Sequence, residues 1–130
     1  MKKILITIPL LIALNSNAIT KKEVYSLLIK HEIQHPKIVL KQCLLETGHL
    51  TSKAYKKRNN LFGFIGGQKH FKSIESCIRY YKQWQSKRYK GGSYYLFLKR
   101  VPVYENGKII THRPYAEDKH YITKLKKIVL

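Results

Sequence analysis

Apolar and polar positions follow the period of a helix along most of this chain. Thr20-Lys21-Lys22-Glu23 has the form in which the first and fourth residues cap each other's backbone, and Val24, Leu27, Leu28 and His31 follow at helical spacing. This helix is expected to stop before Pro36, because the residue preceding a proline is pushed toward extended geometry. Pro36 itself suits the first turn of a second helix, where its missing N–H would have had no partner. Ile38-Val39-Leu40-Lys41-Gln42-Cys43-Leu44-Leu45 is then apolar almost all round, the composition of a helix inside a domain. Gly48 supplies the left-handed residue that commonly ends one.

Beyond it, Ser52 to Lys57 reads as a short polar helix, broken by Asn59-Asn60. Leu61 to Ile65 has strand character, Gly66-Gly67 signals a tight turn, and His70-Phe71 is the expected return strand. Ser73 caps a longer helix, on which Ile74, Cys77, Ile78, Tyr81 and Trp84 form a stripe suited to a core rather than to ligand stacking. Gly91-Gly92 closes that region, and Ser93 caps a short helix from Tyr94 to Lys99. Val101 to Thr111 reads as a hairpin around Asn106-Gly107. Asp118 is expected to cap a last helix, with Ile122, Leu125, Ile128 and Val129 turned inward. The pattern predicts one mainly α (α+β) domain with a small β element.

The start of the chain stands apart. Lys2 and Lys3, the apolar stretch Ile4 to Leu14 and the small residues Ser16-Asn17-Ala18 read as a secretory signal over residues 1–18, followed by a domain over 19–130. That apolar stretch is too short to span a bilayer, and no Cys lies near the cleavage point to carry a lipid, so no stable membrane insertion is expected. Exported, the chain meets the carboxylates and phosphates of a cell envelope rather than nucleic acid. Its charge fits such a partner. The 26 Lys and Arg residues exceed 7 acidic ones, and removal of Lys2 and Lys3 leaves about +17. A solvated basic surface that only confers solubility is the plainer reading. We expect a monomer, periplasmic or extracellular and associated with the wall. Cys43 and Cys77, the two cysteines, either pair in the oxidising compartment or pack as small hydrophobes.

Two stretches carry candidate chemistry. His31-Glu32-Ile33-Gln34-His35 fits H-E-x-x-H, the zinc-protease signature. That chemistry needs both histidines on one helical face and a third ligand, yet Pro36 biases His35 away from helical geometry. The histidines at 49, 70, 112 and 120 show no ligand spacing, so no metal and no cofactor is expected. The second stretch is Leu44-Leu45-Glu46-Thr47-Gly48. Glu46 falls in the last turn of the apolar helix, against the negative end of the helix dipole and beside apolar side chains. Both favour the protonated form, which a general acid requires. A solvated Glu at a frayed helix end is equally compatible with these residues.

Three motifs now fall in order: Leu44-Leu45-Glu46-Thr47-Gly48, Arg58-Asn59-Asn60-Leu61-Phe62-Gly63-Phe64, and Tyr115-Ala116-Glu117-Asp118 with Tyr121. Together they resemble the β-N-acetylglucosaminidase domain of glycoside hydrolase family 73, relatives of the flagellar muramidase domain. Phe71-Lys72-Ser73 and Tyr81-Lys82-Gln83-Trp84-Gln85 add to the likeness, which covers nearly all of residues 19–130. The resemblance implies a single lysozyme-like domain acting on peptidoglycan glycan strands, with Glu46 as general acid and Tyr115 opposite it in the cleft. It also implies that Asn60, Phe62, Gly63 and Phe64, with Tyr121, bind the sugar. Two departures stand out. No Asp or Glu lies between Phe64 and Ser73, where longer relatives carry a second carboxylate. Val101 to Pro114 also replaces a segment that in relatives runs straight into the tyrosine motif. The expected activity is an endo-β-N-acetylglucosaminidase; a wall-binding module that lost turnover is the second reading and an HExxH zinc protease the third.

Overall fold

The computed structural model describes residues 19–65 and 70–130. The expected secretory signal and the expected Gly66-Gly67 turn therefore lie outside the described residues. Helix α1 (Lys21–Lys30) opens on the expected reciprocal cap: the Glu23 N–H donates to the Thr20 hydroxyl, and the Thr20 N–H to the Glu23 carboxylate. The chain then turns sharply, with Glu32 and His35 both at left-handed φ, 55° and 53°. That turn removes the helix on which a zinc-protease motif depends. The two histidines also have other partners. His31 Nε2 lies 2.6 Å from the Glu75 carboxylate, and His35 Nε2 lies 2.8 Å from the Tyr89 hydroxyl.

Helix α2 (Pro36–Glu46) carries proline in its first turn and buries Val39, Leu40, Gln42, Cys43 and Leu44. It packs on α1 and on the last helix. Thr47 ends it as much as Gly48 does. The Thr47 hydroxyl donates to the Cys43 carbonyl and accepts from the Leu50 N–H, while Gly48, His49 and Leu50 all take left-handed φ. Helix α3 (Lys53–Arg58) is capped by Ser52 and closed by Asn59 at φ 52°.

The strands expected at 61–65 and 70–71 do not form. Residues 61–65 run instead as an irregular loop, because the Asn60 side chain takes over their backbone partners. Its Oδ1 accepts from the Phe62 and Phe64 N–H groups, and its Nδ2 donates to the Phe64 carbonyl. Leu61 and Phe62 still point into the core, both fully buried. The apolar, aromatic-rich run from Leu61 to Ile65 is what reads as a strand.

Helix α4 (Ile74–Arg88) is capped by Ser73; Cys77, Ile78 and Tyr81 of its stripe are buried, while Ile74 and Trp84 are half-buried. Helix α5 (Tyr94–Lys99) starts at Ser93. Among the described residues the β element is the hairpin alone: β1 (Val101–Glu105) pairs antiparallel with β2 (Lys108–Arg113), with a register break between Val103 and Tyr104. Helix α6 (Tyr121–Lys127) begins later than expected. His120, not Asp118, stands at its N-cap; Asp118 accepts from the His120 N–H at 2.9 Å and pairs with Lys124 at 2.6 Å. Leu125 faces inward as expected, whereas Val129 follows the end of the helix and is 89% exposed. Cys43 and Cys77 are free and buried, and burial pushes the Cys77 thiol up to about 12. They pack as small hydrophobes.

Candidate active site

Helix α2 delivers Glu46 from the core to its edge. The carboxyl is half-buried, and the loss of water around it raises its pKa. One contact opposes the rise: the buried Tyr121 hydroxyl donates to the carboxylate. The loop after Asn60 presses Gly63 against the same group. A Cβ on Gly63 would stand 2.3 Å from Glu46 Oε1, and Gly63 has φ +68°. Only glycine meets both conditions, so the close approach of backbone to carboxyl is specified by this residue.

Behind Glu46 runs a chain of buried polar groups whose directions can be assigned. Tyr121 donates to Glu46, so its oxygen is free to accept from Gln42 Nε2, at 3.1 Å. Gln42 Oε1 accepts from the Tyr81 hydroxyl. Tyr81 must then accept from the Tyr94 hydroxyl, 2.6 Å away, and Tyr94 accepts from Gln85 Nε2 at 3.0 Å. Gln85 is anchored in turn on the Gln34 backbone, through its amide nitrogen and its oxygen. Every donor along this chain points toward Glu46. A half-satisfied buried network would be costly, but here no buried side-chain polar atom among the described residues lacks a partner. Replacing Tyr121 by Phe removes the one bond that favours the Glu46 carboxylate. The alkaline limb of the pH–rate profile should therefore move up, and Gln42 should lose an acceptor at a cost of about 1–3 kcal/mol in stability. An unmoved limb would mean that Tyr121 does not act on Glu46.

Beside Gly63 opens a groove of about 330 Å³. Phe64, Tyr80 and Trp84 line one side; Val103, Tyr104 and Arg113 of the hairpin line the other, with Tyr115 completing it. The segment Val101 to Pro114, absent from the expected pattern of relatives, thus forms a wall of this groove. Aromatic faces suit the apolar faces of sugar rings, and Phe64 packs edge-on to Tyr80 and Trp84.

The expected site residues separate into two sets. Gly63, Phe64 and Tyr115 line the groove, and Glu46 lies against Gly63. Asn60 instead shapes the loop, Phe62 is buried with its ring 4.5 Å from that of Tyr81, and Tyr121 sits behind the acid. Tyr115 stacks on Tyr121 and donates its hydroxyl hydrogen to the Phe62 carbonyl at 2.6 Å. Burial, with Tyr121 and Glu46 nearby, holds its pKa well above the ordinary tyrosine value, so it stays neutral. Sequence reasoning missed Gln42 and the groove residues Tyr80, Tyr104 and Arg113, and treated Trp84 as core. A lone amide in an otherwise apolar helix was the available signal for Gln42.

A core helix that ends on a carboxyl biased toward protonation, beside an aromatic groove, is the layout of a lysozyme-like glycosidase domain. The chain belongs to the glucosaminidase family, glycoside hydrolase family 73: the model of that family, described as mannosyl-glycoprotein endo-beta-N-acetylglucosaminidase, matches residues 21–130. No curated protein and no solved structure matches it significantly. Membership carries the coarse activity, glycoside hydrolysis of peptidoglycan. Among the described residues no helix is long and apolar enough to cross a membrane.

Proposed function

We propose that this domain cleaves the β-1,4 bond after N-acetylglucosamine in peptidoglycan, with Glu46 as the general acid. The observation that carries this reading is the half-buried Glu46 carboxyl, its pKa raised by desolvation, packed against Gly63 of an aromatic groove. Protonated Glu46 gives its proton to the glycosidic oxygen as the bond breaks. Positive charge then develops at the anomeric carbon and needs a partner. The other six acidic residues are engaged or exposed. Glu75 is held down to about 2 by Lys30 and His31, Asp118 pairs with Lys124, and Glu23 caps α1. Glu32, Glu105 and Glu117 are exposed.

The substrate supplies the missing group. The carbonyl oxygen of its N-acetyl substituent bonds to the anomeric carbon while the leaving oxygen takes the Glu46 proton, giving a cyclic oxazolinium. Water then opens the ring and returns a proton to Glu46, so the product keeps its anomeric configuration. Because the Tyr115 hydrogen goes to the Phe62 carbonyl, Tyr115 serves the acetamido group as an acceptor for its N–H. Tyr115→Phe should lower kcat about tenfold, the worth of one neutral hydrogen bond in the transition state, with a smaller change in binding. NMR of the first product should show retention; an inverted product would rule the scheme out.

The same reading places residues 19–130 outside the cytoplasm after removal of residues 1–18, held on an anionic wall by about +17 of charge. Binding to intact sacculi should weaken as salt rises, while cleavage of a short neutral oligosaccharide should change far less. Equal salt dependence for both would assign the charge another purpose.

A further inference from the structure

Helix α5 and the hairpin enclose a second cavity, of about 680 Å³, that the sugar-cleaving chemistry does not use. Its walls are apolar, built from Phe97, Pro102 and Tyr104 together with Leu96 and Ile109, which are 64% and 51% exposed. Its rim is cationic. Arg88, Lys90, Lys99, Arg100 and His112 line it, and no carboxylate does. The four Arg and Lys side chains make no ion pair among the described residues, so no carboxylate of this chain neutralises them. The cavity adjoins the groove, since Arg88, Pro102 and Tyr104 line both. At the junction the Arg88 guanidinium lies 5.6 Å from the Trp84 ring centre and 5.9 Å from that of Tyr104. Both rings therefore steady a charge that faces either space.

Apolar walls under a rim of one sign select a ligand that carries several carboxylates on a short, partly apolar backbone. A polysaccharide alone offers neither. Peptidoglycan does, because short peptides of alanine and dicarboxylic residues branch from alternate sugars along its strands. A strand lying in the groove would bring such a branch to the junction at Arg88. We propose that this cavity binds the carboxylate-bearing peptide branch of the strand, so that the domain recognises peptide-substituted glycan in preference to bare glycan. The identity of the strand rests on the glycosidase reading above; the binding itself does not.

The test uses the protein carrying Glu46→Gln, so that cleavage is suppressed. Calorimetry compares a purified disaccharide-peptide fragment of peptidoglycan with the same disaccharide after enzymatic removal of the peptide. The peptide-bearing fragment should bind about tenfold more tightly, the sum of two exposed charge-assisted contacts. Lys99→Gln with Arg100→Gln should abolish that difference and leave the affinity for the bare disaccharide unchanged. Both residues are exposed, so the pair should fold, and an unchanged melting temperature checks it. Equal affinities for the two fragments would overturn the proposal. So would a difference that survives the double substitution. Soluble polyglycerol phosphate is the third ligand; if it binds through Lys99 and Arg100 while the peptide fragment does not, the cavity belongs to an envelope polymer and the proposal fails. Failure of the glycosidase reading has a separate signature, since wild-type protein would then leave isolated peptidoglycan intact whatever the calorimetry shows.

Discussion

Glu46→Gln should lower turnover at least about 10²-fold, because the amide keeps the shape of the acid and has no proton to give to the leaving oxygen. Tyr121 still finds an acceptor in the amide oxygen, so the network behind the site survives. Stability should move the other way. Burial raises the Glu46 pKa above its value in the unfolded chain, so the native state binds more protons between the two values. That contribution is fully present below the ordinary carboxylate range and is lost as pH rises toward the raised value. The glutamine variant escapes the loss. Melting temperatures of the two proteins should therefore coincide at low pH and separate in favour of the variant toward neutrality. Wild-type rates in the variant would remove Glu46 from the mechanism.

A comparably large loss should follow a single added methyl group. Gly63→Ala places a Cβ 2.3 Å from Glu46 Oε1 and 2.9 Å from its Cδ. Either the carboxyl swings away from the groove or the loop retreats and carries Phe64 with it. A shift of about 1 Å in a reacting group can cost about 10²-fold, and we expect kcat/KM to fall by that order. The left-handed backbone at φ +68° adds a strain of roughly 1–2 kcal/mol for a residue with a Cβ. Gly107→Ala separates the two effects. Gly107 also has positive φ, at +78°, but a Cβ there meets nothing within 4 Å. It should lose similar stability and keep its activity. Equal activity losses in both variants would show that backbone strain, not contact with Glu46, explains Gly63.

Much of this architecture is local and therefore readable in the sequence. Thr20, Ser52, Ser73 and Ser93 each accept a hydrogen bond from a backbone N–H three residues on, and each begins a helix where the pattern places one. Asn106-Gly107 marks the hairpin for the same reason, since both take positive φ. Glu46 was legible because one carboxylate closes an apolar helix. The misreadings share a cause too. In 61–65, the inward-facing Leu61 and Phe62 imitate a strand, and only the Asn60 carboxamide decides otherwise. Asp118 has the chemistry of a cap but satisfies the His120 N–H one step before the helix begins. What the sequence hides is long-range. Gln42 meets Tyr121 across 79 positions, and Tyr115 meets the Phe62 carbonyl across 53. A sugar-binding position and a supporting position ask for the same tyrosine, and the packing of α6 on α2 puts Tyr121 behind Glu46 rather than in the groove.

Mass spectrometry of fragments released from purified peptidoglycan, reduced with borohydride, tests the central claim most directly. Hydrolysis after N-acetylglucosamine predicts fragments whose reducing ends are N-acetylglucosaminitol, formed by the wild-type protein and not by Glu46→Gln. Fragments ending in reduced N-acetylmuramic acid, or in anhydro sugars that resist reduction, would contradict it.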